Sequence, residues 1–130
     1  MSRYLLDTTV LIAHLRGDAG VSRLLLDLLS AGHRLGICCV NVAEVERGLR
    51  LAEHKRAKEL LDRLEYFDTT REAAERAGRY QAELQREGRT LHTADAIIAG
   101  TARSQGAVLV TDNLADFPMK DLVVRGLPEN

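Results

Sequence analysis

The sequence has no tryptophan, three tyrosines and two phenylalanines. With 45% apolar residues, its core must therefore be built from Leu, Val, Ile and Ala. No apolar run approaches the roughly 18 residues of a membrane span. No basic segment leads into a long apolar stretch and a small-residue cleavage site, so no secretory signal is read. Cysteine is scarce: Cys38 and Cys39 are adjacent, neighbours pair poorly, and there is no CxxC. That excludes a disulfide scaffold and leads us to expect a reduced, cytoplasmic protein. Both thiols are expected as small buried apolar groups in a strand. Charge of one sign is also missing. Lys and Arg total 18 against 19 Asp and Glu, a net charge of −1. No overall basic field is available, although charge can still be arranged locally. The histidines, His14, His33, His54 and His92, lack a zinc spacing such as HxxxH. No pattern supports a Ser or Cys nucleophile. Repeats, low-complexity segments and linkers are absent, so 130 residues are expected to form a single domain, 1–130.

Glycine-containing punctuation separates short elements that alternate in type. Strands are expected over 3–6, 35–39, 107–110 and 122–124, with a short one starting at 66–67. Helices are expected over 8–15, 21–31, 42–52, 55–64 and 93–104. A further long helix should open at a capping box, Thr69-Thr70-Arg71-Glu72, and run to about 87. Apolar strands alternating with helices predict an α/β domain with a short central parallel sheet flanked by helices.

Against this background the acids stand out. Asp7 interrupts the apolar run YLLDTTVLI just after the first strand. Glu44 lies near the start of the helix that the second strand feeds, three residues after Asn41. Asp95 sits in the first turn of another helix, and Asp112 directly follows the strand AVLV. Ligands of open α/β sheets bind beyond the carboxyl ends of the strands, where Asp7 and Asp112 belong. Each acid also has a purely structural reading. Asp7 would cap the helix it precedes, Asn41…Glu44 would form a variant capping box, Asp95 would meet the helix dipole, and Asp112 would serve a turn. Burial argues beyond capping for Asp7 and Asp95, since both are flanked by apolar residues. Gly48 lies one turn after Glu44. A mid-helix glycine costs about 1 kcal/mol against alanine, so either open space beside Glu44 or close helix packing is expected there. His92 is expected as a cap or surface residue.

Several carboxylates sharing a pocket need a cation or raised pKa values. Oxygen-only ligands suit hard ions such as Mg²⁺, Mn²⁺ or Ca²⁺. Carboxylates holding such ions are the equipment of phosphodiester hydrolysis.

Four segments, LLDTTVLI, NVAEVERG, TADAIIAGTA and VLVTDNLADF, together resemble the PIN-domain family, specifically the VapC-type toxins of toxin–antitoxin pairs. The resemblance spans nearly the whole chain. It implies a three-layer α/β/α PIN-like domain and a Mg²⁺- or Mn²⁺-dependent endoribonuclease. It also implies a homodimer inhibited by a small antitoxin that presses a segment into or beside the acidic site. By resemblance, Asp7 and Asp95 are direct metal ligands and Glu44 acts through water. The fourth acidic slot departs from the pattern, because Asn113 stands where an acid is common. Asp112 is the first choice to supply that charge, also through water, and Asp116 the second. Thr9 stands where Asn or Ser is frequent. Arg47, Arg50, Lys55 and Arg56 are candidates for holding RNA phosphates. Their bland reading is a solvated face paired with Glu46 and Glu53. With so few aromatics to stack on bases, RNA would be read by shape or as a short exposed loop.

Competing readings make specific demands. A haloacid-dehalogenase-like phosphatase needs a second Asp where Thr9 stands. A receiver-like signalling domain needs an acid pair at the first strand's end and a late lysine, and neither is visible. A non-catalytic acidic binding module needs only acids that cap helices.

Overall fold

The structure is a computed structural model that describes residues 1–128. Five strands, β1 (Arg3–Leu6), β2 (Arg34–Ile37), β3 (Glu65–Tyr66), β4 (Ala107–Val110) and β5 (Val124–Arg125), form one sheet in the order β3-β2-β1-β4-β5. Every pairing is parallel, with Leu5 beside Gly36 on one side and Leu109 on the other. The helices are α1 (Thr8–Leu15), α2 (Ala19–Ser30), α3 (Cys39–Gly48), α4 (His54–Arg63), α5 (Arg71–Arg86) and α6 (Thr93–Ser104).

The strands are apolar throughout because both faces of the sheet are covered. Leu5 and Leu109 enter a core with Ile98, Ala99, Ala77 and Tyr80 from α5 and α6. Their neighbours Leu6 and Val110 point the other way, into Val10, Leu24, Leu28 and Val45 from α1, α2 and α3. The strand alternation thus divides two apolar layers, giving the three-layer α/β/α arrangement. Each fully buried leucine contributes about 1.5–3 kcal/mol of burial free energy. The turns that return the chain to the sheet use glycine where φ is positive, as at Gly32 (85°) before β2 and Gly106 (63°) before β4.

Several boundaries differ from the expected ones. The expected strand over 35–39 ends at Ile37, because Cys38 becomes the N-cap residue of α3. The Asn41 Oδ1 atom accepts the Cys38 N–H at 2.7 Å and starts the helix at Cys39. Asn41 therefore caps from inside the helix and forms no box with Glu44. Only Cys38 is buried; Cys39 is exposed on the first turn of α3, so the two thiols do not share a strand environment. That helix stops at Gly48, where Leu49 turns extended, and a 3₁₀ turn over Leu51–Glu53 follows. The cap of α5 is Thr70, whose hydroxyl accepts the Ala73 N–H at 3.1 Å. The Thr69 hydroxyl instead meets that of Thr101 at 2.8 Å. Leu122 is a buried core residue just ahead of β5, which begins at Val124.

Candidate active site

From β1 the chain proceeds outward to β2 and β3, then crosses back to place β4 on the other side of β1. The strand order reverses between β1 and β4, which is where an open α/β sheet leaves a crevice at its carboxyl edge. Asp7 sits at that edge. Its N–H donates to the Val110 carbonyl at 2.8 Å, holding the residue level with the end of β4. Its backbone is extended and caps α1.

The Asp7 carboxylate is 5% exposed and well supplied with donors. Oδ1 accepts the Thr8 N–H at 2.8 Å. Oδ2 accepts the hydroxyls of Thr111 at 2.7 Å and Thr9 at 3.2 Å. Thr111 is itself pinned by the Asn113 N–H at 3.0 Å. Burial nonetheless outweighs these donors and pushes the Asp7 carboxyl above its ordinary pKa, with Glu44 adding repulsion.

Glu44 is held by a relay from β2. Because Asn41 uses its oxygen on Cys38, its amide N–H₂ faces Thr8 and donates to Thr8 Oγ1 at 3.2 Å. The Thr8 hydroxyl must then donate onward, and it meets Glu44 Oε1 at 2.7 Å. Asn41 is wholly buried and Thr8 nearly so, which fixes the direction of every proton in the relay.

Asp95 lies in the first turn of α6 and is half-buried. Its carboxyl is pushed up to about 6, first by burial, then by the negative charges of Asp7, Asp116 and Glu44. His92, at the N-cap position of the same helix, opposes the shift. Carboxylates from the residue after β1, from α3 and from the 3₁₀ turn Leu114–Asp116 therefore act together on Asp95 of α6 across the crevice. A cavity of about 250 Å³ lies beside them, walled by Asp95, Asp116, His92 and Arg89 among others. Among the described residues no group of three or more His, Cys, Asp or Glu side chains is drawn together closely enough to hold a metal ion. The donor chemistry nevertheless suits a hard divalent cation, since it is all oxygen and mutually repulsive.

The PIN domain family matches residues 4–118. This chain belongs to the PIN-domain family. Ribonuclease VapC10 of Mycobacterium tuberculosis is 36% identical over 115 residues, covering 88% of this chain and 86% of that protein. A solved structure, DNA-bound VapBC from Salmonella typhimurium, matches with a TM-score of 0.84 at 29% identity, over 97% of this chain and 98% of that one. VapBC2 from Rickettsia felis, bound to a promoter DNA fragment, has the same fold, with a TM-score of 0.87 at 22% identity over 97% and 99% of the two chains.

Within this PIN domain, Asp7, Glu44 and Asp95 face a shared electrostatic environment although Asp95 follows no strand. In the fourth slot, Asp116 is the acid whose charge reaches Asp95. Asp112 is exposed, and its backbone N–H donates to Thr9 Oγ1 at 3.3 Å. Gly48 ends α3, and a Cβ there would meet nothing within 4 Å, so close helix packing does not explain it. Among the proposed phosphate contacts, Arg47 approaches Glu44 Oε2 at 4.0 Å. Glu46 pairs with His54 at 3.8 Å, and Glu53 accepts the Arg50 backbone N–H at 3.1 Å, so neither neutralises the basic face as expected. The relay through Thr8 and Asn41 was not anticipated. Its only sequence signal is a pair of polar residues, Thr8 and Asn41, at otherwise apolar core positions.

Proposed function

We propose that this PIN-like domain, acting as one unit over 1–130, is a Mg²⁺- or Mn²⁺-dependent endoribonuclease, the toxin of a type II toxin–antitoxin pair. The observation that carries this reading is the Asp95 carboxyl, raised first by burial and then by the charges of Asp7, Asp116 and Glu44, beside the sheet's switch point. Such crowding is relieved by a divalent cation. Asp7 and Asp95 would hold the ion directly, with Glu44 and an acid of the 112–116 segment acting through water. Of the two candidates in that segment, Asp116 has the stronger support and Asp112 the weaker. When bound, the ion supplies an activated water and neutralises charge that builds on the phosphate. The chain's own part is preorganisation. Thr9 and Thr111 hold Asp7, while Asn41 and Thr8 aim Glu44.

Likeness to a ribonuclease and to VapBC complexes supports RNA as substrate and an antitoxin as partner. That the antitoxin is small and the working form a homodimer is what the family resemblance implies. Exposed Leu26, Leu29 and Leu51 leave apolar surface for such partners. The unpaired cysteines suit a cytoplasmic setting, and no described helix is long and apolar enough to cross a membrane.

The test is cleavage of cellular RNA with Mg²⁺, with EDTA, and with the Asp7→Asn variant. EDTA should stop cleavage. The variant should lose at least about 100-fold, because even groups behind a metal ligand are worth 10- to 100-fold. Cleavage indifferent to both would refute the metal-dependent reading.

A further inference from the structure

A second cavity, of about 680 Å³, runs between α5 and residues 118–121. Arg79, Arg86, Arg89 and Lys120 line it, with Glu83, Glu87 and Asp121 as its acids. Arg79, Arg86 and Lys120 enter no ion pair among the described residues. Arg76, at the far end, is instead neutralised by Asp121 at 3.3 Å. Arg89 donates only to a neutral group, the Ala115 carbonyl at 3.3 Å, so it is anchored while keeping its charge. The groove is continuous with the acidic crevice. Leu84, Arg89 and Pro118 wall both this cavity and the one containing Asp95 and Asp116.

A strand whose reactive phosphate sits at the carboxylates must place its neighbouring phosphates nearby. The carboxylates themselves repel them. The guanidinium groups of Arg79, Arg86 and Arg89, which form no ion pair among the described residues and outnumber Glu83 and Glu87 on the same wall, attract them. Arg79 and Arg86 lie about 10 Å apart along the helix axis, a span suited to a short extended strand. We infer that this groove holds the phosphates of the RNA strand on one side of the scissile bond, with Arg89 at the junction. The inference rests on the endoribonuclease reading. A peptide partner would find the exposed leucines Leu26 and Leu29 on α2, across the sheet, and not in this polar groove.

The test measures binding of a short single-stranded RNA to the full chain in the Asp7→Asn background, by fluorescence anisotropy across a salt series. Arg79→Ala combined with Arg86→Ala should weaken binding by on the order of tenfold, uniformly across RNA sequences, and flatten the salt slope by about 0.7 per charge removed. Glu83→Gln should tighten binding. A control with the same charge loss on α4, Lys58→Ala with Arg63→Ala, should bind as the background does. Equal Kd for groove and control variants overturns the inference, as does a groove variant that loses only a co-purifying protein partner while keeping its RNA affinity. If the groove variants weaken RNA binding while the unmodified chain fails to cleave with Mg²⁺, the groove stands and the nuclease reading falls. A chain that binds no RNA removes both.

Discussion

Thr8 occupies a position where a hydroxyl has no freedom left. It accepts from Asn41 and donates to Glu44, and all but 7% of its surface is buried. Thr8→Val preserves shape but strips both contacts, leaving a buried Asn41 N–H without a partner. That costs about 1–3 kcal/mol. It also frees Glu44 to rotate away from the crevice. Cleavage should fall about 10- to 100-fold, the usual effect of removing a group that orients a metal-site carboxylate. Thr8→Ser keeps the hydroxyl and should restore both melting temperature and kcat. If valine and serine variants cleave alike, the relay has no positioning role. The pattern of acids was readable in the sequence because carboxylates are conspicuous in apolar runs. The relay was not, because Asn41 looked like a cap for the helix in which it is the third residue. Only the fold brings Asn41, near the start of α3, beside the residue that follows Asp7.

At the level of elements, the contact between α5 and α6 depends on small side chains. A Cβ at Gly100 would lie 2.4 Å from the Ala73 carbonyl oxygen and 3.1 Å from the Ala77 nitrogen. Both are backbone atoms, so the helices themselves would have to separate. Gly100→Ala gains up to about 1 kcal/mol in helix propensity, but overpacking costs about 1–3 kcal/mol. Net destabilisation is expected as a lower urea midpoint with an unchanged slope. Gly78→Ala on the exposed side of α5, where a Cβ meets nothing within 4 Å, should instead stabilise. Helix and strand types followed from apolar periodicity, and the parallel sheet followed from their alternation. Boundaries shifted wherever a side chain captured a backbone donor. Asn41 drew α3 forward to Cys39, and Thr70 took the cap expected of Thr69. Such captures depend on which rotamer the surroundings allow, and periodicity carries no record of that.

For the whole molecule, the crevice is a point where the fold works against its own stability. Asp95 titrates near 6 in the folded chain against an ordinary 3.8. A carboxyl with a raised folded pKa binds more protons folded than unfolded, so its contribution to stability falls as pH rises from about 4 to 6 and stays low above that. Asp95→Asn removes this term and breaks no side-chain hydrogen bond among those of the described residues. Without divalent ions, the variant should therefore melt above the parent at pH 8, and the gap should close as pH falls through 6 toward 4. Adding Mg²⁺ or Mn²⁺ at pH 8 should raise the parent's Tm, since an ion bound only by the folded state stabilises by about 2.7 kcal/mol at 100 times its Kd. EDTA should reverse the rise, and Asp95→Asn should show little of it. This links distant parts of the chain, because the repulsion at Asp95 comes from Asp7 after β1, Glu44 on α3 and Asp116 after β4. No single segment of sequence contains that cluster, and the reversal of strand order between β1 and β4 is what assembles it. Equal melting temperatures for parent and variant at every pH, with no response to either ion, would mean that these acids do not share a cation-binding crevice.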